Sequence, residues 1–167
     1  EEVDVTHLED LREHLNEQRP ENGSKLTYLP FIIQALAKAL ADHPECNAHY
    51  DEARGVVVQH KAINLGVATQ TERGLLVPVI RNVESLDLWQ GAAELRRVVD
   101  AARKNTAKVD ELSGSTFTLT SLGALGGLGA TPIINHPEVG ILGIHKANER
   151  AVVRRGRIVI RRMMNLS

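Results

Sequence analysis

The segment STFTLTSLGALGGLGATPIIN, residues 115–135, constrains the fold more strongly than any other part of the sequence. Its first half alternates apolar residues with threonines, the last of them Thr120, and this period of two predicts a β-strand. Four glycines and a Thr-Pro pair follow, so we expect the backbone to bend sharply where the strand ends. The glycine spacing matches neither the G-x-G-x-x-G fingerprint nor a Walker loop, which argues against a nucleotide-phosphate loop.

Three other segments have the 3.6-residue spacing of apolar residues that predicts an amphipathic helix. Thr6 and Glu9 have the spacing of a capping box at the start of the first helix. Thr27 is the candidate N-cap of the second helix, which Pro44 ends. Asp87, with Gln90, is the candidate N-cap of the third helix, which is expected to be long.

Strand patterns lie between and after these helices. They cover residues 55–59, 62–69, 75–80, 116–120 and 138–145, and a hairpin over 151–164 that turns near Arg155 and Gly156. Residues 45–55 are expected to form a loop. Because helices and strands mix without a regular βαβ alternation, we predict an α+β fold: a two-layer sandwich with a mixed, mostly antiparallel sheet and helices on one face.

Length, charge and cysteine content narrow the functional classes. The 167 residues fit one domain, and a net charge of −1 favours neither nucleic acid nor a membrane surface as a partner. Six arginines fall between Arg150 and Arg162, but alternating hairpin positions place them on the solvated face. Cys46 is the sole cysteine, so no internal disulfide can form. We expect it to be a small residue of the core. No metal-binding motif is present, and no metal cofactor is expected.

Three blocks of the sequence, taken in order, carry a family resemblance. They are YLPFIIQALAKALADHPECNAHYDE, NLGVATQTERGLLVPVIRN and STFTLTSLGALGGLGATPIINHPEVGILGI. Together they resemble the catalytic domain of dihydrolipoamide acyltransferases, the core subunits of 2-oxoacid dehydrogenase complexes. The resemblance implies a fold similar to that of chloramphenicol acetyltransferase, with the glycines bending the chain at the mouth of a channel. We therefore expect residues 1–167 to form one acyltransferase domain that is incomplete at both ends.

The resemblance also implies a reaction. An acyl group would pass from dihydrolipoyl-lysine, carried on a separate lipoyl domain, to coenzyme A. Thr120 stands where the family has a Ser or Thr hydroxyl that stabilises the oxyanion, so Thr120 is the catalytic candidate. The family's general base is a His in an Asp-His-x-x-x-Asp-Gly motif, which is absent from this sequence and is expected shortly after Ser167. The sequences HYDE and LGALGG favour a branched-chain acyl group.

Six further residues match positions that contact coenzyme A in this family. They are Arg12, Thr27, Gln70, Ser121, Gly143 and His145. A coenzyme contact would explain why Arg12 lies on an apolar helix stripe. Gln70 and Ser121 stand where relatives often have Asp and Asn, so the contacts that they make are expected to differ in character.

Partners and location follow from the same resemblance. The family forms homotrimers that assemble into a cubic or dodecahedral core, served by lipoyl domains, the 2-oxoacid dehydrogenase and dihydrolipoamide dehydrogenase. A bacterial cytoplasm is expected in preference to the mitochondrial matrix. Two alternatives stay open: a non-catalytic structural core or binding subunit of the same complexes, and a free-standing acetyltransferase of the chloramphenicol type. The second would not need the Gly-Leu-x-Val-Pro-Val and Thr-Pro-Ile-Ile-Asn blocks found here.

Overall fold

The computed structural model describes residues 1–19, 23–121, 127 and 129–167. In chain order, the elements are β1 (Glu2–Asp4), α1 (Thr6–Glu17), α2 (Tyr28–Asp42), β2 (Ala48–Asp51), β3 (Val56–Gln59), β4 (Leu65–Thr71), β5 (Gly74–Leu76), β6 (Val79–Ile80), α3 (Leu88–Arg103), β7 (Phe117–Ser121), β8 (Ile141–Ile144), β9 (Asn148–Arg154) and β10 (Arg157–Asn165). Short 3₁₀ turns occupy Val83–Ser85 and Val109–Leu112. The bend predicted after Thr120 involves Gly123 and Gly126, which lie outside the described residues.

The central sheet has the strand order β5-β4-β7-β8, with β6 also paired to β4. Strands β4, β7 and β8 are parallel, whereas the other pairings among the described residues are antiparallel. The register sets Thr120 between Ala68 on β4 and Gly143 on β8. A mixed, mostly antiparallel α+β architecture is therefore confirmed, and its parallel part carries Thr120.

The hydrophobic core lies between this sheet and the helices. Helices α2 and α3 pack against each other, and α3 also packs on β4 and β6. The most deeply buried core side chains come from both layers: Ile33, Leu65, Ile80, Val83, Val98 and Leu119. A two-layer arrangement of this kind buries the apolar stripe of each helix against one face of the sheet.

Two local predictions about helices and turns are confirmed. Asp87 accepts a hydrogen bond from the Gln90 amide at 2.8 Å, and the Gln90 side chain accepts one from the Asp87 amide at 3.0 Å, which completes a capping box. The β9–β10 hairpin turns at Arg155 and Gly156, which have φ angles of 50° and 75°. Positive φ at both central residues is the geometry that matches the twist of a tight hairpin.

The capping box predicted at Thr6 is wrong. The N-cap of α1 is Val5, and the amide and hydroxyl of Thr6 both donate to Asp4 Oδ1, at 3.1 and 2.7 Å. Glu9 instead accepts hydrogen bonds from Arg12. Asp4 occupies the Thr6 hydroxyl and amide, and Glu9 pairs with the charged guanidinium of Arg12, so neither side chain makes the reciprocal contact of a capping box.

Two other expectations also differ from the structure. Residues 45–55 are not all loop, since Ala48–Asp51 forms β2 and pairs antiparallel with β3. This short strand gains support from outside the hairpin, because the Tyr50 amide donates to the Pro137 carbonyl at 2.8 Å. Cys46 is exposed and not part of the core, because it lies in the turn that precedes β2.

Candidate functional site

Thr116, just before β7, and Thr118 and Thr120 within it differ in the hydrogen bonds that their hydroxyls make. Thr116 is buried. Its hydroxyl accepts a hydrogen bond from the Asn64 amide at 3.0 Å and donates one to the Asn64 carbonyl at 3.2 Å. Thr118 is buried and lies 3.4 Å from the side-chain Nδ2 of Asn135. Thr120 is half-buried, and its hydroxyl makes no side-chain hydrogen bond to any residue that the structure describes. Of the three, Thr120 therefore has the hydroxyl that remains available to a ligand.

Thr120 lines a cavity of about 240 Å³ at the C-terminal end of the parallel strands. The walls of this cavity, which we call the acyl cavity after the group that the family resemblance implies, are largely apolar: Ala68, Leu75, Ala130, Pro132, Ile133, Ile141, Gly143 and Ile144, with His145. An isolated hydroxyl donor in apolar surroundings stabilises developing negative charge more than it would in water. The cavity can thus hold a short apolar group with its polar atom against Thr120.

A second cavity, of about 370 Å³, adjoins the first through Ile144 and His145, which line both. It is here called the polar cavity, and its lining includes three of the predicted coenzyme contacts, Thr27, Ser121 and His145. Thr27 is exposed at the N-cap of α2, where its side chain makes no capping hydrogen bond. The structure therefore brings together residues that are more than 90 positions apart in the sequence.

His145 is the residue that both cavities share. It is 5% exposed, its Nε2 lies 3.0 Å from the Ser167 hydroxyl, and its Nδ1 has no hydrogen-bond partner among the described residues. Gly143, two residues earlier, exchanges backbone hydrogen bonds with Ser167 at 2.7 and 3.0 Å. A side chain at Gly143 would collide with Ser167 and Pro132, so glycine permits this close approach.

Arg12 lies behind the polar cavity and does not line it. Its guanidinium makes a two-point contact with Glu9 and sits over the Tyr28 ring, 5.7 Å from the ring centroid. The hydrogen bonds from Arg12 lower the pKa of Glu9 to about 2, and the Arg162 charge adds to this effect. Burial, followed by the neighbouring Glu9 carboxylate, raises the pKa of Tyr28 to about 12.

Gln70 is a predicted coenzyme contact that lies away from both cavities. It is exposed on β4, and its side-chain Nε2 donates to the Thr71 carbonyl at 3.2 Å. It lines neither the acyl cavity nor the polar cavity. It does lie at the same end of the sheet, because Ala68, two residues earlier, pairs with Thr120.

Sequence reasoning missed two cationic residues of the polar cavity. Lys146 is exposed at its wall, and Arg162 is half-buried with Nη1 donating to Glu9 Oε1 at 3.0 Å. The expectation that the hairpin arginines are solvated is therefore wrong for Arg162. The hairpin register could have indicated this burial. Arg162 pairs with Glu149 near the base of the hairpin, where β10 enters the core.

Among residues 1–19, 23–121 and 129–167, no group of three or more His, Cys, Asp or Glu side chains is arranged to hold a metal ion. In the same part of the chain, no helix is both long enough and apolar enough to cross a bilayer.

Comparison with known proteins decides the family. The model of the 2-oxoacid dehydrogenases acyltransferase (catalytic domain) family matches residues 1–167. The chain belongs to this acyltransferase family. This acyltransferase domain is 53% identical over 167 residues to the lipoamide acyltransferase component of the branched-chain alpha-keto acid dehydrogenase complex of Pseudomonas aeruginosa, a match that covers 100% of the chain and 39% of that protein. The chain thus spans about two-fifths of the length of the curated relatives that it matches.

Solved structures support the same assignment. The cubic core of a pyruvate dehydrogenase multienzyme complex superposes on the acyltransferase domain with a TM-score of 0.95 and 38% identity, covering 99% of this chain and 68% of that one. Chloramphenicol acetyltransferase superposes with a TM-score of 0.56 at 18% identity, covering 98% of this chain and 75% of the other. The second likeness concerns the fold alone and confirms the predicted chloramphenicol acetyltransferase-like architecture.

Proposed function

We propose that this domain transfers an acyl group from dihydrolipoyl-lysine to coenzyme A, and that the acyl group is of the branched-chain type. The observation that carries the proposal is the Thr120 hydroxyl, which has no hydrogen-bond partner among the described side chains and faces the apolar acyl cavity. Membership of the acyltransferase family and 53% identity to a branched-chain lipoamide acyltransferase support it. The apolar walls suit a short hydrocarbon chain better than a charged succinyl group.

The proposed reaction is a thioester exchange. The coenzyme A sulfur attacks the acyl carbonyl carbon, the bond from that carbon to the dihydrolipoyl sulfur breaks, and the thiol proton of the coenzyme passes to the departing sulfur. The tetrahedral intermediate carries a negative oxygen, to which Thr120 donates its hydroxyl proton in a hydrogen bond. A thiol with a pKa of about 8.5 is mostly protonated at neutral pH, so a general base must assist the attack. We propose none of residues 1–167 as that base.

The polar cavity is proposed as the coenzyme A site. Thr27, Ser121 and His145 line it, and Arg12 supports its wall through Glu9. We add Lys146, because its exposed ammonium is suited to a phosphate group of the coenzyme. Gly143 would contact the coenzyme where the two cavities meet, and Gln70 would do so from the same end of the sheet; the assignment of Gln70 rests on the family resemblance.

Assembly and partners are part of the same proposal. We propose that the domain forms homotrimers within a larger cubic or dodecahedral core, as the match to the cubic core of a pyruvate dehydrogenase complex suggests. Lipoyl domains, a 2-oxoacid dehydrogenase and dihydrolipoamide dehydrogenase would be its partners. Since the branched-chain relatives are bacterial, we propose the bacterial cytoplasm as the location.

An acyl-transfer assay on the intact protein tests the function. Isobutyryl-, acetyl- and succinyl-dihydrolipoamide are supplied in turn with coenzyme A, and the acyl-coenzyme A formed is measured. We expect transfer from every active donor to depend on coenzyme A. We also expect kcat/KM to be highest for the isobutyryl donor. Coenzyme A binding without transfer from any donor would support the non-catalytic core subunit instead. Highest kcat/KM with acetyl would overturn the branched-chain assignment alone.

A further inference from the structure

The segment between the Pro132–Ile133 wall of the acyl cavity and β8 carries a buried carboxylate. Glu138 is only 5% exposed, and its Oε1 accepts hydrogen bonds from the Ser115 hydroxyl at 2.5 Å and from Asn135 Nδ2 at 3.1 Å. Its Oε2 is buried without a hydrogen-bond partner among the described residues. Glutamate is seldom buried this deeply, because desolvating a carboxylate is costly. The position of Glu138 therefore calls for an explanation beyond filling space.

The hydrogen bonds of Glu138 join two segments that both reach the acyl cavity. Asn135 Nδ2, held by Glu138, also lies 3.4 Å from Thr118 Oγ1 on β7, two residues before Thr120. The Glu138 amide donates to the Asn135 carbonyl at 3.0 Å, which closes the turn between them. Pro132 and Ile133, which form part of the cavity wall, are separated from this turn only by Ile134. The turn therefore sets the distance between that wall and β7.

The β2 strand holds the same turn from the other side. His49 forms a β-bridge with Glu138, and the Val139 amide donates to the Ala48 carbonyl at 3.3 Å. The His49 ring contacts the Ser115 carbonyl through Nε2 at 2.8 Å. Because a carbonyl oxygen only accepts, His49 must carry its proton on Nε2. Glu138 is thus clamped between β2 and the start of β7, and has little freedom to move.

We infer that Glu138 is a positioning residue for acyl transfer, an inference that rests on the proposed function. Through Asn135 it fixes the Pro132–Ile133 wall of the acyl cavity relative to the Thr120 hydroxyl. It lines neither cavity, so it acts on the substrate only through these neighbours. The polar cavity shares no wall residue with the turn 135–138. Loss of Glu138 should therefore impair use of the acyl donor and leave coenzyme A binding unchanged.

The test separates the two substrates kinetically in the intact protein. Glu138→Ala removes the acceptor, and Glu138→Gln keeps an amide oxygen that can accept from Ser115 and Asn135. For Glu138→Ala we expect KM for isobutyryl-dihydrolipoamide to rise on the order of 10-fold, since small misplacements cost much of the gain from substrate positioning. KM for coenzyme A should stay within about 2-fold. Glu138→Gln should restore most of the loss.

Two further variants separate a loss of stability from a loss of substrate positioning. Thr116→Val removes a buried hydroxyl from the residue just before β7 and should lower Tm without changing KM for the acyl donor. If Glu138→Ala does not fold, Asn135→Ala breaks the link to Thr118 and should give the same selective rise in KM. A wild-type protein without acyl transfer would overturn the proposed function. An active wild type in which Glu138→Ala and Asn135→Ala change neither KM, or change both KM values equally, would overturn the role of Glu138 alone.

Discussion

Arg12 and Glu9 are joined by two hydrogen bonds, one from Nε to Oε2 at 2.7 Å and one from Nη2 to Oε1 at 2.9 Å. Both side chains are mostly buried, with 18% and 14% of their surfaces exposed. Glu9 also accepts from Arg162 at 3.0 Å, so one carboxylate holds two arginines beside the polar cavity. Arg12, which the family resemblance assigns to coenzyme A, therefore also holds Glu9 in place at the wall of the polar cavity.

This arrangement predicts an acid-sensitive contribution to stability. Because the folded-state pKa of Glu9 is about 2, below its unfolded value, the carboxylate stabilises the fold above the unfolded pKa. That contribution is lost as pH falls from about 4.5 towards 2, and it amounts to on the order of 3 kcal/mol. Denaturant titrations across this range should show a smaller pH dependence of the unfolding free energy in Glu9→Gln than in wild type. Glu17→Gln, at an exposed site on the same helix, should match wild type; equal slopes in all three proteins would contradict the prediction.

The cations of the polar cavity predict a pattern of coenzyme A affinity. Lys146→Ala removes an exposed ammonium from the cavity wall and should raise Kd for coenzyme A roughly 3- to 10-fold, which corresponds to the usual net contribution of one hydrogen bond, about 0.5–1.5 kcal/mol. Arg12→Ala should also raise Kd, but with a loss of stability, because Glu9 loses its main partner. Lys38→Ala, on the exposed face of α2, is the matched control. Calorimetry on the three variants checks the pattern, and an unchanged Kd for Lys146→Ala would remove Lys146 from the site.

Local chemistry was enough to predict several parts of this fold. The Asp87 capping box and the Arg155–Gly156 turn depend on residues within a few positions of each other, so their signals are complete in the sequence. The alternation that ends at Thr120 likewise predicts β7. The role proposed for Thr120 required the resemblance, because alternation alone does not distinguish Thr120 from Thr116 and Thr118.

The remaining features depend on contacts that no local pattern contains. Strand β2 is four residues long and is held partly by Pro137, nearly 90 positions away. Asp4 displaces the cap of Thr6 because β1 brings a carboxylate to the start of α1. Arg162 meets Glu9 only when β10 packs beside α1. Tertiary contacts therefore override local propensity at these sites.

Two glycines provide a paired prediction about packing. A Cβ at Gly66 would lie 2.7 Å from Val77 Cγ1 and 2.8 Å from Thr118 Oγ1, inside the buried centre of the sheet. Gly66→Ala should therefore destabilise the domain by about 1–3 kcal/mol. At Gly91, within α3, the nearest atom is Gln34 Nε2 at 3.7 Å, so Gly91→Ala should stabilise by about 0.5–1 kcal/mol. Thermal unfolding of both variants is the measurement, and shifts of the same sign would contradict the packing described here.

The central claim is that the Thr120 hydroxyl stabilises the oxyanion of acyl transfer. The direct measurement is kcat of the intact protein with saturating acyl-dihydrolipoamide and coenzyme A, for Thr120→Ala, Thr120→Ser and the remote, exposed control Thr106→Ala. Thr120→Ala should lower kcat on the order of 10²–10³-fold with little change in either KM, as expected for a lost oxyanion donor. Thr120→Ser keeps the hydroxyl and should retain much of the activity, and Thr106→Ala should equal wild type. A Thr120→Ala protein within a few-fold of wild-type kcat would show that Thr120 serves packing and not catalysis.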